Sequence, residues 1–178
     1  MTEKPVHFIQ NVDRTITAKD FKDLGSDKVR VHNTFSTFQG EGPFAGHPAY
    51  FLRTAGCNFG AKAQGVCSFC DTAFHFDDGK NMTFEEIAED YRAKVKRPNK
   101  LVVITGGEPS LQHTLPGLIK YLLNDFVPKG MWEGKTVDPM TFREISDVQI
   151  ETNGTRVKVL RECLELNNSW KLRQYNRK

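Results

Sequence analysis

The chain has 178 residues, within the roughly 100–200 typical of one domain, so a single domain spanning 1–178 is expected. Apolar residues make up 38% and charged residues 26%, and 13 Phe, 4 Tyr and 2 Trp supply a core, which excludes a chain disordered throughout. The formal charge of +3 is too small to argue for direct nucleic-acid binding.

Met1-Thr2-Glu3-Lys4-Pro5 has no apolar stretch of the signal-peptide kind, and residues 1–27 read as a loosely ordered, polar lead-in. Val29 to Phe38 is rich in β-branched and aromatic residues with rough alternation, and predicts a strand. Gln39-Gly40-Glu41-Gly42-Pro43 then predicts a turn or loop. Ala49 to Thr54 is a short apolar run and predicts a buried strand that ends at Gly56-Cys57. Residues 58–80 are punctuated by glycine and read mainly as loop.

Thr83 and Glu86 have capping-box spacing, and Phe84, Ile87, Ala88, Tyr91 and Val95 recur on one face, so a helix starts at 83–84. Leu101-Val102-Val103-Ile104 predicts a strand covered on both faces. It is also the longest membrane-span candidate, and four residues fall far short of the ~20 that a bilayer requires. Thr105-Gly106-Gly107-Glu108-Pro109 follows at its carboxyl end. Leu111, Leu115, Leu118, Ile119, Leu122, Leu123 and Phe126 then form one helical stripe. Residues 128–146 read as a long connection, Val148 to Glu151 as a strand, roughly 157–167 as a last helix, and 171–178 as a basic, solvated tail.

This order indicates βαβ units, which build parallel sheets with ligands outside the carboxyl ends of the strands. The polar, Gly-rich segments 39–43, 56–72, 105–109 and 151–155 all follow strands. They are therefore expected to gather on one rim.

Three of the four cysteines, Cys57, Cys67 and Cys70, fall within 14 residues. With nothing suggesting secretion, such clustering points to a metal or to catalysis rather than to disulfides. Three thiolates can hold three irons of a [4Fe–4S] cluster and leave the fourth iron open to an amine and a carboxylate. The spacing fits structural zinc about as well, with Cys163 or a histidine as fourth ligand. Cys163 shares an apolar helix face with Val159, Leu160 and Leu164, so a buried core thiol is the favoured role for it. Gly106-Gly107 lets a ligand approach the backbone closely, but a tight strand-to-helix turn would use the same residues. Glu151 and Asn153 could bind ribose hydroxyls, although Asn153-Gly154 alone is also a common turn.

Taken together, these segments resemble the radical S-adenosylmethionine (radical SAM) enzymes and, among them, the 7-carboxy-7-deazaguanine synthases. The matching stretches run in the family's order: Thr37 to Gly42, Gly46 to Ala49, Arg53-Thr54-Ala55-Gly56-Cys57-Asn58, Cys67-Ser68-Phe69-Cys70-Asp71-Thr72, Ile104 to Pro109 with Gln112, and Ile150 to Thr155. The resemblance covers about residues 30–156. The first cysteine gap is nine residues, longer than the common Cys-x3-Cys-x2-Cys; longer gaps occur in this synthase family.

The resemblance implies an α/β fold, an open, incomplete TIM-type barrel, shortened at the C-terminus. It implies that Cys57, Cys67 and Cys70 ligate a [4Fe–4S] cluster and that Phe69 lies near the adenine of S-adenosylmethionine. Gly106, Gly107 and Glu108 would receive the cofactor's amino group, and Glu151 and Asn153 its ribose. Gln39, Gly40 and Glu41 would read a pterin edge, Arg53 would pair with a substrate carboxylate, and Thr105 would face substrate. Thr72, with Asp71 nearby, would position Mg2+. The implied reaction converts 6-carboxy-5,6,7,8-tetrahydropterin to 7-carboxy-7-deazaguanine with loss of ammonia, in the route to queuosine and other 7-deazapurines. The implied setting is a cytoplasmic homodimer reduced by a flavodoxin or ferredoxin. After Thr155 the family continues with a strand carrying Ser-Pro-Lys, which this chain lacks, so a minimal or truncated homologue, or a site completed by a partner subunit, is expected. Two other readings remain at this stage: a different radical enzyme, such as a glycyl-radical activase, and a non-enzymatic metal-binding form.

Overall fold

The computed structural model of the chain describes residues 17–59, 79–95, 101–125 and 145–168. Five strands form one open sheet: β1 (Lys28–Phe38), β2 (Pro48–Thr54), β3 (Lys80–Thr83), β4 (Leu101–Gly106) and β5 (Asp147–Ile150), in the order β3-β1-β2-β4-β5. Helices α1 (Phe84–Lys94), α2 (Leu115–Lys120) and α3 (Val157–Asn168) complete an α/β architecture. Strands β2, β4 and β5 are parallel, as their intervening crossovers require.

β1 departs from the all-parallel expectation. It runs antiparallel to both β2 and β3, because the loop 39–47 is too short for a parallel crossover and turns the chain straight back. No strand is expected at β3: only Lys80 falls in the stretch 58–80 read as loop, and Thr83 is read as the helix cap. Its four residues, Lys-Asn-Met-Thr, carry no apolar alternation, and only edge pairing with β1 makes them a strand.

Register sorts the side chains of the sheet by face. Val29, Val31, Tyr50, Leu52, Val102 and Ile104 point to the helical side and pack with Ile87, Tyr91, Leu118 and Ile119 in the main core. Ala49, Phe51, Leu101 and Val103 point the other way and make a smaller cluster with Phe35 and Phe44. This second face, called the inner face below, has no α-helix among the described residues; the loop 39–47, with a 3-10 turn at Gly42–Phe44, folds across it.

The helices follow their sequence signals with one exception. Thr83 caps α1 through the Glu86 amide while Glu86 reaches back to the Thr83 amide, and Phe84, Ile87, Ala88 and Tyr91 are buried as the stripe predicts. The stripe from Leu111 onward is not one helix. It breaks into a 3-10 turn (Pro109–Leu111), α2 and a π turn (Tyr121–Asp125), although Leu111, Leu115, Leu118, Ile119, Leu122 and Leu123 are all buried. Phe126 and the tail 171–178 lie outside the described residues. Within the lead-in, Ala18–Leu24 forms a 3-10 helix capped by Thr17 and Asp20, and it buries Phe21 and Leu24. No described helix is long and apolar enough to cross a membrane.

Tyr50 is fully buried, so its hydroxyl needs a partner. It donates to Asp90 Oδ2 at 2.7 Å, and Thr34 Oγ1 donates to the same oxygen at 2.6 Å. Lys94 Nζ lies 2.9 Å from Asp90 Oδ1. Burial works against the Asp90 carboxylate, but the hydrogen bonds from Thr34, Tyr50 and Lys94, with the lysine's charge, outweigh it and hold the pKa below the ordinary 3.8. Burial and the bond to Asp90 raise the Tyr50 phenol in turn. A depressed carboxylate stabilises the fold above its unfolded pKa, and that contribution fades as pH falls through the folded value. Thermal melts of Asp90→Asn should therefore show a lower Tm at neutral pH, and a smaller loss of Tm below about pH 4 than the parent shows. Equal acid sensitivity in the two proteins would count against this cluster.

Candidate functional site at the carboxyl rim

The ends of β2, β4 and β5 are tied to one another by backbone and side chain. Gly107 N donates to Thr54 O at 3.1 Å, Glu108 N to Gly56 O at 2.7 Å and Glu151 N to Ile104 O at 2.9 Å. Thr54 Oγ1 donates to Thr105 O at 3.1 Å. Gly106 is the point of closest approach: its φ is +119°, and a Cβ there would stand 2.3 Å from Thr54 O. The glycine is thus required by strand packing, quite apart from any ligand.

Glu108 is fully buried. Its Oε1 accepts from Ser110 N at 2.9 Å, from Thr152 Oγ1 at 2.7 Å and from Ser110 Oγ; its Oε2 accepts from Asn153 N at 2.6 Å. The carboxylate joins the loop after β4 to the loop after β5. Expected as a receiver of a ligand amine, it also has an internal duty, with these four contacts coming from the chain itself.

Gln112, also fully buried, secures the other side of the rim. Its Oε1 accepts from Arg30 N at 2.7 Å, and its Nε2 donates to Arg30 O at 2.9 Å and to Ala55 O at 3.4 Å. It bonds the β1 backbone at Arg30, next to Val31, where the β1–β2 pairing with Thr54 ends. Asn58 joins the root of the cysteine loop to the β5 loop: Asn153 Nδ2 donates to Asn58 Oδ1 at 3.0 Å, and Asn58 Nδ2 donates to Thr155 Oγ1 at 3.0 Å.

The loop 39–47 leaves β1 at the end opposite this rim, a consequence of the antiparallel β1. It nonetheless returns over the inner face, where buried Gln39 donates through Nε2 to Glu151 Oε1 at 3.0 Å. Gln39 Oε1 accepts from Glu41 N at 3.2 Å. Glu41 and Gly40 are exposed. Arg53 and Thr105 are half-buried neighbours in register on the inner face, and the Arg53 guanidinium carbon lies 5.3 Å from the Phe35 ring centroid, within cation–π range. Sequence reasoning passed over Gln149. It lies between Asp147 and Glu151 on the inner-facing side of β5, and its buried Oε1 has no hydrogen-bond partner among the described residues. The alternation Val148-Gln149-Ile150-Glu151 carried that signal.

Cys57 is half-buried and packs against Phe21, Leu24 and Leu111. Cys67, Phe69, Cys70, Asp71 and Thr72 lie outside the described residues. Cys163 is 2% exposed within the main core on the helical side, where burial, aided by the charge of Glu162, pushes its thiol up to about 12. It is a core thiol as expected, and the zinc arrangement that used it as fourth ligand loses that ligand.

The sequence pattern of the radical SAM superfamily matches residues 51–172. The chain belongs to the radical SAM superfamily. It is similar to 7-carboxy-7-deazaguanine synthase of Rickettsia prowazekii, at 35% identity over 86% of this chain and 53% of the relative. It is 43% identical to the synthase of Hyperthermus butylicus over 53% of this chain and 37% of the relative, and 44% identical to that of Caulobacter vibrioides over 46% and 44%. The chain thus spans about half or less of the length of these relatives. The crystal structure of QueE from Escherichia coli gives a TM-score of 0.48 at 24% identity, covering 80% of this chain and 59% of that one. That likeness is too loose to add to the family match.

Radical SAM membership implies a [4Fe–4S] cluster and S-adenosylmethionine, and the described residues fit both. Cys57 offers a thiol at the rim beside an apolar wall, suited to a cluster screened from water. The Gly106-Gly107 segment is backbone without Cβ at the carboxyl end of a parallel strand.

Replacing Glu108 with Ala should leave four donors without their acceptor, two of them on buried Ser110 and one on half-buried Asn153, and cost at least about 3 kcal/mol. In cofactor-free protein, hydrogen exchange at the 107–111 and 152–154 amides should quicken together. Unchanged exchange there would mean that Glu108 does not hold the two loops.

Proposed function

We propose that this chain carries the catalytic rim of a 7-carboxy-7-deazaguanine synthase, converting 6-carboxy-5,6,7,8-tetrahydropterin to 7-carboxy-7-deazaguanine and ammonia. The observation that carries the reading is the Gln39–Glu151 bond. Two residues 112 positions apart in sequence, from separate motifs shared with the synthases, meet on the inner face. The atoms balance: the product is the substrate less one ammonia, with no net oxidation.

When bound, the cluster and S-adenosylmethionine supply the radical that abstracts a substrate hydrogen. Cys57, Cys67 and Cys70 hold the cluster. Phe69 would serve the adenine, and Asn153 and Glu151 the ribose. The Gly106-Gly107 backbone receives the methionine end, and Glu108 keeps the two flanking loops in register for it.

On the substrate side, Arg53 pairs with the carboxylate, pre-oriented by the Phe35 ring beneath it. Gln39, Gly40, Glu41 and Thr105 read the pterin edge. Gln149 Oε1, a buried acceptor without a partner among the described residues, accepts from a ring N–H. Thr72, with Asp71, holds the Mg2+, whose hardness suits oxygen ligands. The aromatic and aliphatic residues of the inner face exclude water from the reacting ring.

The test is anaerobic reconstitution followed by assay. About four irons and four sulfides per chain are expected, with 5′-deoxyadenosine and the deazaguanine formed from the carboxytetrahydropterin. Cys57→Ser, Cys67→Ser and Cys70→Ser should each lose cluster and product, whereas Cys163→Ser should keep both. Full cluster loading without the deazaguanine would reject this substrate; zinc in place of iron would reject the reading altogether. Gln149→Leu should raise KM for the pterin by about 5- to 30-fold, the worth of one hydrogen bond to a buried group. An unchanged KM would remove Gln149 from the substrate contacts.

A further inference from the structure

Three side chains at the loop after β5 close into a ring of hydrogen bonds. Asn153 Nδ2 donates to Asn58 Oδ1 at 3.0 Å, Asn58 Nδ2 donates to Thr155 Oγ1 at 3.0 Å, and Thr155 Oγ1 donates to Asn153 Oδ1 at 2.7 Å. One backbone amide sets the direction of the ring. Thr155 N donates to Asn153 Oδ1 at 3.1 Å, so that corner of the side-chain amide must be the oxygen. Nδ2 then faces Asn58, Asn58 presents its oxygen there, and its own Nδ2 is left for Thr155. Each member donates to the next, an order in which the bonds polarise one another in the same sense. The bond from Thr155 N alone would make an ordinary Asx turn, with Gly154 at φ +77° between the two residues. Such a turn uses only the oxygen of Asn153. Asn58 goes further: it comes from a segment 95 positions earlier and pins the NH2 end as well.

The ring also limits what Asn153 can offer a ligand. Its Oδ1 accepts twice, from Thr155 N and from Thr155 Oγ1, which fills both lone pairs. Its Nδ2 carries two hydrogens, and among the described residues only one is used. We infer that Asn58 and Thr155 are positioning residues that commit Asn153 to a single role, as donor to one oxygen of the cofactor's ribose diol. Glu151, a carboxylate two residues earlier, only accepts, and it takes a hydrogen bond from a hydroxyl of the same diol. The pair thus recognises a vicinal diol by one donor and one acceptor, and the donor half depends on two residues that do not touch the ligand. The inference rests on the reading that Asn153 and Glu151 meet the ribose.

The experiment measures by calorimetry the binding of two probes to the anaerobically reconstituted protein. One is 5′-methylthioadenosine, which has the ribose diol but no amino-acid end; the other is its 2′,3′-dideoxy analogue. The parent should prefer the diol by about 10- to 100-fold, the worth of two hydrogen bonds of which one is to a charged group. Thr155→Val, at an exposed position, opens the ring and should cut that preference by about 3- to 10-fold. Thr155→Ser keeps the hydroxyl and should stay within about twofold of the parent. Asn58→Leu removes two sides of the ring and should cut the preference at least as far as Thr155→Val does. Asn58→Asp keeps the acceptor for Asn153 Nδ2 and should fall between the parent and Asn58→Leu. Affinity for the dideoxy analogue should change by less than about twofold in every variant, which a general loosening of the loop would not allow.

An undiminished diol preference in Thr155→Val and Asn58→Leu would overturn the inference and leave the ribose site in place. Equal losses for the two probes would make the ring a support of the loop alone and would overturn it too. A parent that binds neither probe, or both equally, would reject the ribose site itself and the inference with it.

Discussion

A buried carboxylate organises this rim. Glu108 is fully buried and accepts hydrogen bonds from Ser110 and from the loop that follows β5. Parallel strands end in separate loops that have no ladder to align them, and each loop on its own would be a mobile, solvated turn. One buried acceptor with several donors makes the two loops depend on each other, because moving either strands a polar group away from solvent. Gln112 does the same between β1 and β2 with an amide in place of a charge. The rim is rigid because its loops share acceptors, and the surfaces that would meet cofactor and substrate inherit that rigidity.

The two faces of the sheet divide the work. The helical face is a closed apolar core, and it absorbs Cys163 as one more small hydrophobe. The inner face mixes Phe35, Phe51 and Val103 with Arg53, Gln149 and Glu151. That blend of apolar floor and few polar groups is characteristic of ligand sites. The difference comes from β5, whose alternation sends Val148 and Ile150 to the core while Gln149 and Glu151 go inward. It also comes from the loop 39–47, which brings Phe44 and Gln39 over the inner face.

Much of this was legible in the residues. β1, β2, β4 and β5, the start of α1 and the extent of α3 follow from alternation, apolar runs and the Thr83–Glu86 cap. The core role of Cys163 follows from its apolar helical neighbours. What was hidden depended on tertiary context. The direction of β1 is set by a loop whose length forbids a crossover, and β3 exists only as a partner for β1. The helix expected from Leu111 breaks because Gln112 and Thr114 turn inward to bond the β1 backbone. Single residues of the site were legible as motif members, but their duties were not. Glu108 and Gln112 read as ligand contacts or as nothing, since no sequence pattern shows which donors will surround a buried acceptor.

The central claim is that the rim is built by its own buried acceptors before any ligand arrives. A crystal structure of the anaerobically reconstituted protein with S-adenosylmethionine tests this most directly. Glu108 should keep its bonds to Ser110, Thr152 and Asn153, with the methionine amino group resting on the Gly106-Gly107 backbone. A Glu108 side chain swung out to the amino group, with the loop after β5 released, would contradict the account.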